Sequence, residues 1–185
     1  MCVFELMDRR RAYRSLEPFE VTEDLIQKLA WSAGIAPSCF NNQPWRYVFV
    51  YEKKRLEELF TSLARGNEWA KASSFVIAVF SKPEYDCRIK GRDYYLFDTG
   101  MATAFLILGA TELGLVAHPI AGFNEVRVKE ILGIPDDMIV ITLVILGRHA
   151  EALSPILTEK QIESEKKRPE RLPSEKIVYR NSYNQ

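Results

Sequence analysis

The chain has 185 residues, 47% of them apolar, which is the size of one domain with a sizeable core. Its 25 acidic and 25 basic side chains cancel, so it lacks the basic excess of a general polyanion binder, although a local basic pocket stays open. The cysteines, Cys2, Cys39 and Cys87, are odd in number and widely spaced, and the two histidines have no Cys/His cluster near them. This argues against a disulfide framework or a structural zinc site and for a reducing compartment. The first ten residues do not read as a signal peptide, because charge follows the apolar residues rather than preceding them. The uncharged, mostly apolar stretch 99–111 falls short of the roughly 20 residues a membrane span requires. A soluble, cytoplasmic protein is expected.

In chain order, a short helix over 3–9 runs into the basic segment Arg9-Arg10-Arg11-Ala12-Tyr13-Arg14. Thr22 is a natural N-cap, with Glu23 and Asp24 in the first turn. Leu25, Ile26, Leu29, Ala30 and Ala33 share one face of the helix that follows, and Gly34 can end it. Residues 36–46 form a loop with two prolines, a serine and three side-chain amides. The spacing then predicts a strand over 47–51, a helix over 53–65 and a strand over 75–80. The segment 98–113 is helical and apolar all round, so it needs cover on every side, from the rest of the core or from a second subunit. A short strand over 115–117 leads to a helix capped by Asn124 and ended by Gly133. The β-branched run 138–146 reads as a central strand. After Gly147, charges and prolines dominate. Too little apolar surface remains for a separate core, so an extended arm over 151–185 is expected, with a short strand at 177–179. The order of elements gives an α+β domain over 1–150 with a mixed, mainly antiparallel sheet.

Four places carry candidate chemistry. In extended chain, Arg10, Ala12 and Arg14 point to one side, and their outer guanidiniums, roughly 7 Å apart, suit the ends of a phosphorylated ligand. The loop Ala-Pro-Ser-Cys-Phe-Asn-Asn-Gln-Pro-Trp at 36–45 offers neutral hydrogen-bonding groups fit for a flat polar heterocycle. In the run His118-Pro119-Ile120-Ala121-Gly122-Phe123, Gly122 lets a ring approach its backbone N–H. The arm adds Lys166, Lys167, Arg168 and Arg171. There is no Gly-x-Gly-x-x-Gly and no Walker loop, and no catalytic triad or carboxylate pair stands out. A bound cofactor that carries the reaction fits that lack.

Together these four places resemble the nitroreductase family of FMN-dependent oxidoreductases, in order and over nearly the whole chain. The resemblance implies an α+β sandwich forming an intertwined homodimer, with two FMN molecules at the subunit interface and the arm packed on the partner. It implies Arg10 at the FMN phosphate and Arg14 at the pyrimidine edge, with Arg11 and Ala12 between them among the cofactor-binding residues. Pro37, Ser38, Asn41 and Gln43 would approach the flavin from the other subunit. Pro119, Ile120, Ala121 and Gly122 would line the ring, with the Gly122 N–H near N5. It implies Arg171 as the second phosphate ligand, with Arg168 or Arg148 as a further candidate. It departs from the family pattern at Ala12, where many relatives have serine, and at Ala121, where some carry an acidic residue. The chain is also shorter before the amide-rich loop. No residue needs to do covalent chemistry and no metal is expected. NAD(P)H would donate hydride and a nitroaromatic, quinone or similar small acceptor would take it, in ping-pong order. Dedicated chemistry of the same fold (dehalogenation, flavin fragmentation) and a non-catalytic flavin carrier are the rivals. A nucleic-acid binder using residues 9–14 is disfavoured by charge, and no membrane role is expected.

Overall fold

A computed structural model describes residues 2–183; Met1, Asn184 and Gln185 lie outside the described residues. The element order is α1 (Val3–Arg9), β1 (Leu16–Glu17), α2 (Glu23–Gly34), β2 (Arg46–Val50), α3 (Lys53–Phe60), β3 (Phe75–Ser81), β4 (Arg88–Ile89), β5 (Arg92–Asp93), α4 (Tyr95–Glu112), β6 (Val116–Ile120), α5 (Glu125–Leu132), β7 (Ile139–His149) and α6 (Glu159–Lys166). The expected caps form. Thr22 accepts from Leu25 N at 3.2 Å, Asn124 accepts from Arg127 N at 3.0 Å, and Gly133 ends α5 in the left-handed region at φ 67°.

The main sheet runs β2–β3–β7–β6, with β1 against the last two residues of β7 and every pairing antiparallel. β7 is central, as its β-branched composition implies. Val76 stands opposite Ile145, Ile77 opposite Val144 and Ala78 opposite Leu143. Alternate residues therefore serve two cores. Val76, Ala78, Leu143 and Ile145 pack with Leu59, Trp69 and Val128 on one side. Phe75, Ile77, Val79, Val144 and Leu146 pack with Leu29, Ala33, Leu106 and Ala110 on the other. Helices thus cover both faces, α3 and α5 on one and α2 and α4 on the other. Each fully buried aliphatic side chain contributes about 1.5–3 kcal/mol.

Several expectations need correction. α3 stops at Phe60 rather than 65, because the Thr61 and Ser62 hydroxyls bond back to Glu58 O and Leu59 O. The hairpin β4–β5 has too few residues to show a period, and the sequence reading missed it. Residues 151–185 are not extended throughout. α6 is capped by Thr158, whose hydroxyl accepts from Gln161 N while Gln161 Oε1 accepts from Thr158 N. Residues 177–179 form no strand; a single 3₁₀ turn, Ser174–Lys176, precedes them. Cys39 and Cys87 are joined in a disulfide, against the expectation of none, and Cys2 is free. The spacing of 48 residues hides this pair, because the bend that presents Cys87 was not foreseen.

In the single chain α4 buries Thr99, Ala102, Thr103, Leu106 and Ala110 and leaves Leu96, Phe97 and Phe105 exposed. α1 lies against α4 and exposes Val3, Phe4 and Met7. No helix among the described residues is long and apolar enough to cross a membrane.

Candidate functional site

Residues 10–15 run as an irregular strap between α1 and β1. The strap has no ladder to satisfy its backbone, and α6 supplies the partners. The Glu165 carboxylate, buried at 2% side-chain exposure, accepts from Arg14 N at 2.6 Å and Ser15 N at 3.3 Å. Arg11 Nη2 donates to Ser164 O and Glu165 O at 2.8 and 3.2 Å, placing a cation on the carbonyl end of α6. Arg168 donates to the carbonyls of Asp8 and Arg10. Tyr13 stacks on His149 at 3.7 Å between ring centroids, and the Tyr13 carbonyl accepts from His118 Nδ1 at 3.0 Å. That bond fixes the proton on Nδ1. Burial, with Arg14 and Arg10 nearby, pushes the His118 imidazole down to about 4, so it is neutral near pH 7.

The result is a cavity of about 130 Å³ lined by Arg10, Arg11, Ala12, Arg14, Arg168 and Arg171, with Ser164 and Pro169. Five guanidiniums and no carboxylate line it. Burial lowers the Arg10 pKa, and repulsion from Arg168, Arg171 and Arg11 lowers it further. Burial also lowers that of Arg14, against a smaller opposing effect of Glu165. A multiply charged anion would relieve this crowding. The alternation expected for the strap holds only partly, since Arg11 lines the cavity with Arg10 and Arg14. Arg148 lies on β7 opposite Glu17 and is not among the lining residues.

The turn after β6 is tied to the same region. Trp69 sits 4.6 Å from the His118 ring and carries the Arg14 guanidinium 5.8 Å from its own centroid. Gln161 of α6 donates to Gly66 O, and Asn67 Nδ2 donates to Gly122 O at 2.9 Å. The Gly122 carbonyl also accepts from Ala64 N. The Gly122 N–H has no partner among the described residues and is half-buried, so it is free for an acceptor. A Cβ at 122 would fall 2.5 Å from Asn67 Nδ2, so the glycine makes room for that amide. Pro119 and Ala121 are exposed and Ile120 is buried.

The amide-rich loop forms a separate group, none of whose residues lines the arginine cavity. Ser38 Oγ accepts from Gln43 N at 2.9 Å, and Gln43 Nε2 donates to Asn41 O. Phe40, Asn41 and Gln43 have φ of 48°, 58° and 50°. Trp45 is buried and packs with Ala36 and Ala102. Cys39 N donates to Asp98 Oδ2 at 2.6 Å. Burial and the adjacent Asp86 push the Asp98 carboxyl up, while the Cys39 N–H holds it down. The sulfurs of Cys39 and Cys87 and an oxygen of Asp86 lie within 4.8 Å of one another, but the sulfurs are bonded to each other and present no free ligand pair. Sequence reading missed Glu165, His118 as a brace, and Asn67, because each acts through backbone groups distant in the chain.

The sequence pattern of the Nitroreductase family matches residues 7–78 and 61–148. The chain belongs to the nitroreductase family. Relatives of this nitroreductase-family oxidoreductase include the NADH dehydrogenase of Thermus thermophilus, 26% identical over 77% of this chain and 84% of the relative. They also include the iodotyrosine deiodinase of Haliscomenobacter hydrossis, 28% identical over 85% of this chain and 84% of the relative. A solved structure described as an oxidoreductase containing FMN superposes with a TM-score of 0.85 at 26% identity, covering all of this chain and 94% of that one.

Proposed function

We propose that this chain is an FMN-dependent oxidoreductase that takes hydride from NAD(P)H and reduces nitroaromatic, quinone or related acceptors as a homodimer. The observation that carries the reading is the cavity whose lining holds five arginines and no carboxylate. A phosphate monoester brings a charge of about −1.5 to −2 near neutral pH, which matches such a cluster. Bound flavin would supply two-electron chemistry with a hydride donor and an acceptor in turn. The residues do the rest. Arg10, Arg168 and Arg171 hold the phosphate. Arg14, braced against Trp69, puts a fixed positive charge at the pyrimidine edge, where it favours the electron-rich form. The Gly122 N–H offers a donor to the ring. Ser38, Asn41 and Gln43 would meet a ring held by the other protomer's arginines, a reading consistent with their absence from this protomer's cavity lining. The uncovered apolar residues of α1 and α4 supply the surface for that pairing. The segment 151–185 would then reach the partner beyond α6.

The test is the visible spectrum of the purified protein before and after anaerobic NADH or NADPH. A yellow dimer bleached by the nucleotide and recoloured by a quinone is expected. A colourless monomer that ignores added FMN would refute the reading. The deiodinase relative favours a second reading, reductive removal of halide from a phenolic substrate; halide release from an iodinated phenol, with no quinone turnover, would select it.

A further inference from the structure

The disulfide joins two segments that no strand pairing connects. Cys39 begins the 3₁₀ turn Cys39–Asn41, inside the loop that carries Pro37, Ser38, Asn41 and Gln43. Cys87 immediately precedes the hairpin β4–β5, which is a two-stranded sheet apart from the main one. Polar contacts brace the same junction. Asp86 Oδ1 accepts from Cys87 N at 2.8 Å and from Asn42 Nδ2 at 3.3 Å, and the Asp98 carboxylate accepts from Cys39 N. Within the loop, Phe40, Asn41 and Gln43 occupy the left-handed region, which non-glycine residues hold only when their surroundings impose it. Neither main core depends on the link, since neither cysteine belongs to them. Both cysteines are half-buried, within reach of a small reagent.

We propose that Cys39–Cys87 is a reversible thiol–disulfide site, with a dithiol as its co-substrate, that sets the shape of the 37–43 loop and so the loop's grip on the cofactor. A thiolate of the dithiol attacks one sulfur, forming a mixed disulfide and releasing the other cysteine as a thiolate that takes up a proton. The second thiol of the reagent then closes on the first, releasing the remaining cysteine. Two electrons pass to the protein, which gains two thiols, and the dithiol becomes a cyclic disulfide. The loop is then held by Asp86, Asp98, the Arg46 guanidinium on Gln43 O and its own hydrogen bonds, and its left-handed residues relax. This rests on the reading of the loop as part of the FMN site.

The experiment compares full-length protein oxidised with trans-4,5-dihydroxy-1,2-dithiane and reduced with dithiothreitol. Thiol titration in denaturant should count one free thiol (Cys2) in the oxidised form and all three cysteines in the reduced form. Reduction should raise hydrogen exchange across 37–43 and weaken FMN binding about tenfold, with reversal on reoxidation. Cys87→Ser should stay in the weak-binding state under both conditions, and Cys2→Ser should respond like the parent protein. If Cys87→Ser fails to fold, the two states of the parent protein decide the matter. Equal exchange and equal affinity in the two states, or three free thiols whatever the oxidant, overturns the proposal. Failure to bind FMN in either state refutes the cofactor reading instead, and loop exchange alone then decides the switch: redox-dependent exchange upholds it and unchanged exchange sinks it.

Discussion

Replacing Glu165 with alanine removes the acceptor for two backbone N–H groups of the strap, at Arg14 and Ser15. Ser15 is 1% exposed, so water cannot replace the lost partner without opening the structure. A hydrogen bond to a charged group nets about 1.5–3 kcal/mol. The 2.6 Å bond counts toward the upper part of that range and the 3.3 Å bond toward the lower. A total loss of about 4–5 kcal/mol follows, which in a domain of this size is a fall of roughly 8–20 °C in thermal midpoint. Glu165→Gln keeps one acceptor oxygen and should recover about half of this. The assay is thermal unfolding followed by circular dichroism, paired with FMN titration. The core variant Val128→Ala, which lowers stability without touching the strap, is the control. Because Arg10 and Arg14 hang on the strap, Glu165→Ala should lose FMN affinity that Val128→Ala keeps. An unchanged midpoint, or equal affinity losses in both variants, would refute the clamp.

Arg10→Ala should lose FMN on dialysis while the flavin-free protein melts no lower, because removing Arg10 also removes its repulsion with Arg168, Arg171 and Arg11; retained flavin would contradict the phosphate role. A chain ending at Lys167 should keep α6 and its clamp yet lose flavin and dimerise less in sedimentation, and a yellow, dimeric truncation would contradict the part given to the terminal segment. His118, with its pKa lowered from 6.5 to about 4 in the fold, takes up its proton more readily when unfolded. Its contribution is therefore full above 6.5 and lost as pH falls from 6.5 toward 4, by up to about 3 kcal/mol. His118→Gln should flatten that part of the stability–pH curve; identical slopes would show that the imidazole does not titrate there.

Much of the candidate site was legible because its signals are local. The arginines at 10, 11 and 14, the amide-rich loop and the Pro119–Gly122 turn sit within a few residues of one another in their own segments, and caps at Thr22, Asn124 and Gly133 marked the helices between them. Signals that span the chain were not legible. Glu165 looks like one more charge on a polar segment until α6 folds back on the strap. Asn67 and Gly122 show their mutual dependence only when the amide fills the space of a Cβ. Trp45 sits beside the amides in sequence, and only the fold shows that it is buried against Ala36 and Ala102.

Alternation of apolar residues, helix caps and the positions of proline and glycine are properties of neighbouring residues. They were enough to establish two-sided strands, the helices that cover them and the permanent charge of the strap. Which charges crowd one cavity, which carboxylate is buried beneath them and which two cysteines meet depend on contacts between segments separated by 48 to more than 150 residues. Sequence spacing does not specify such contacts, because they arise only when the sheet and its two helical layers bring those segments together.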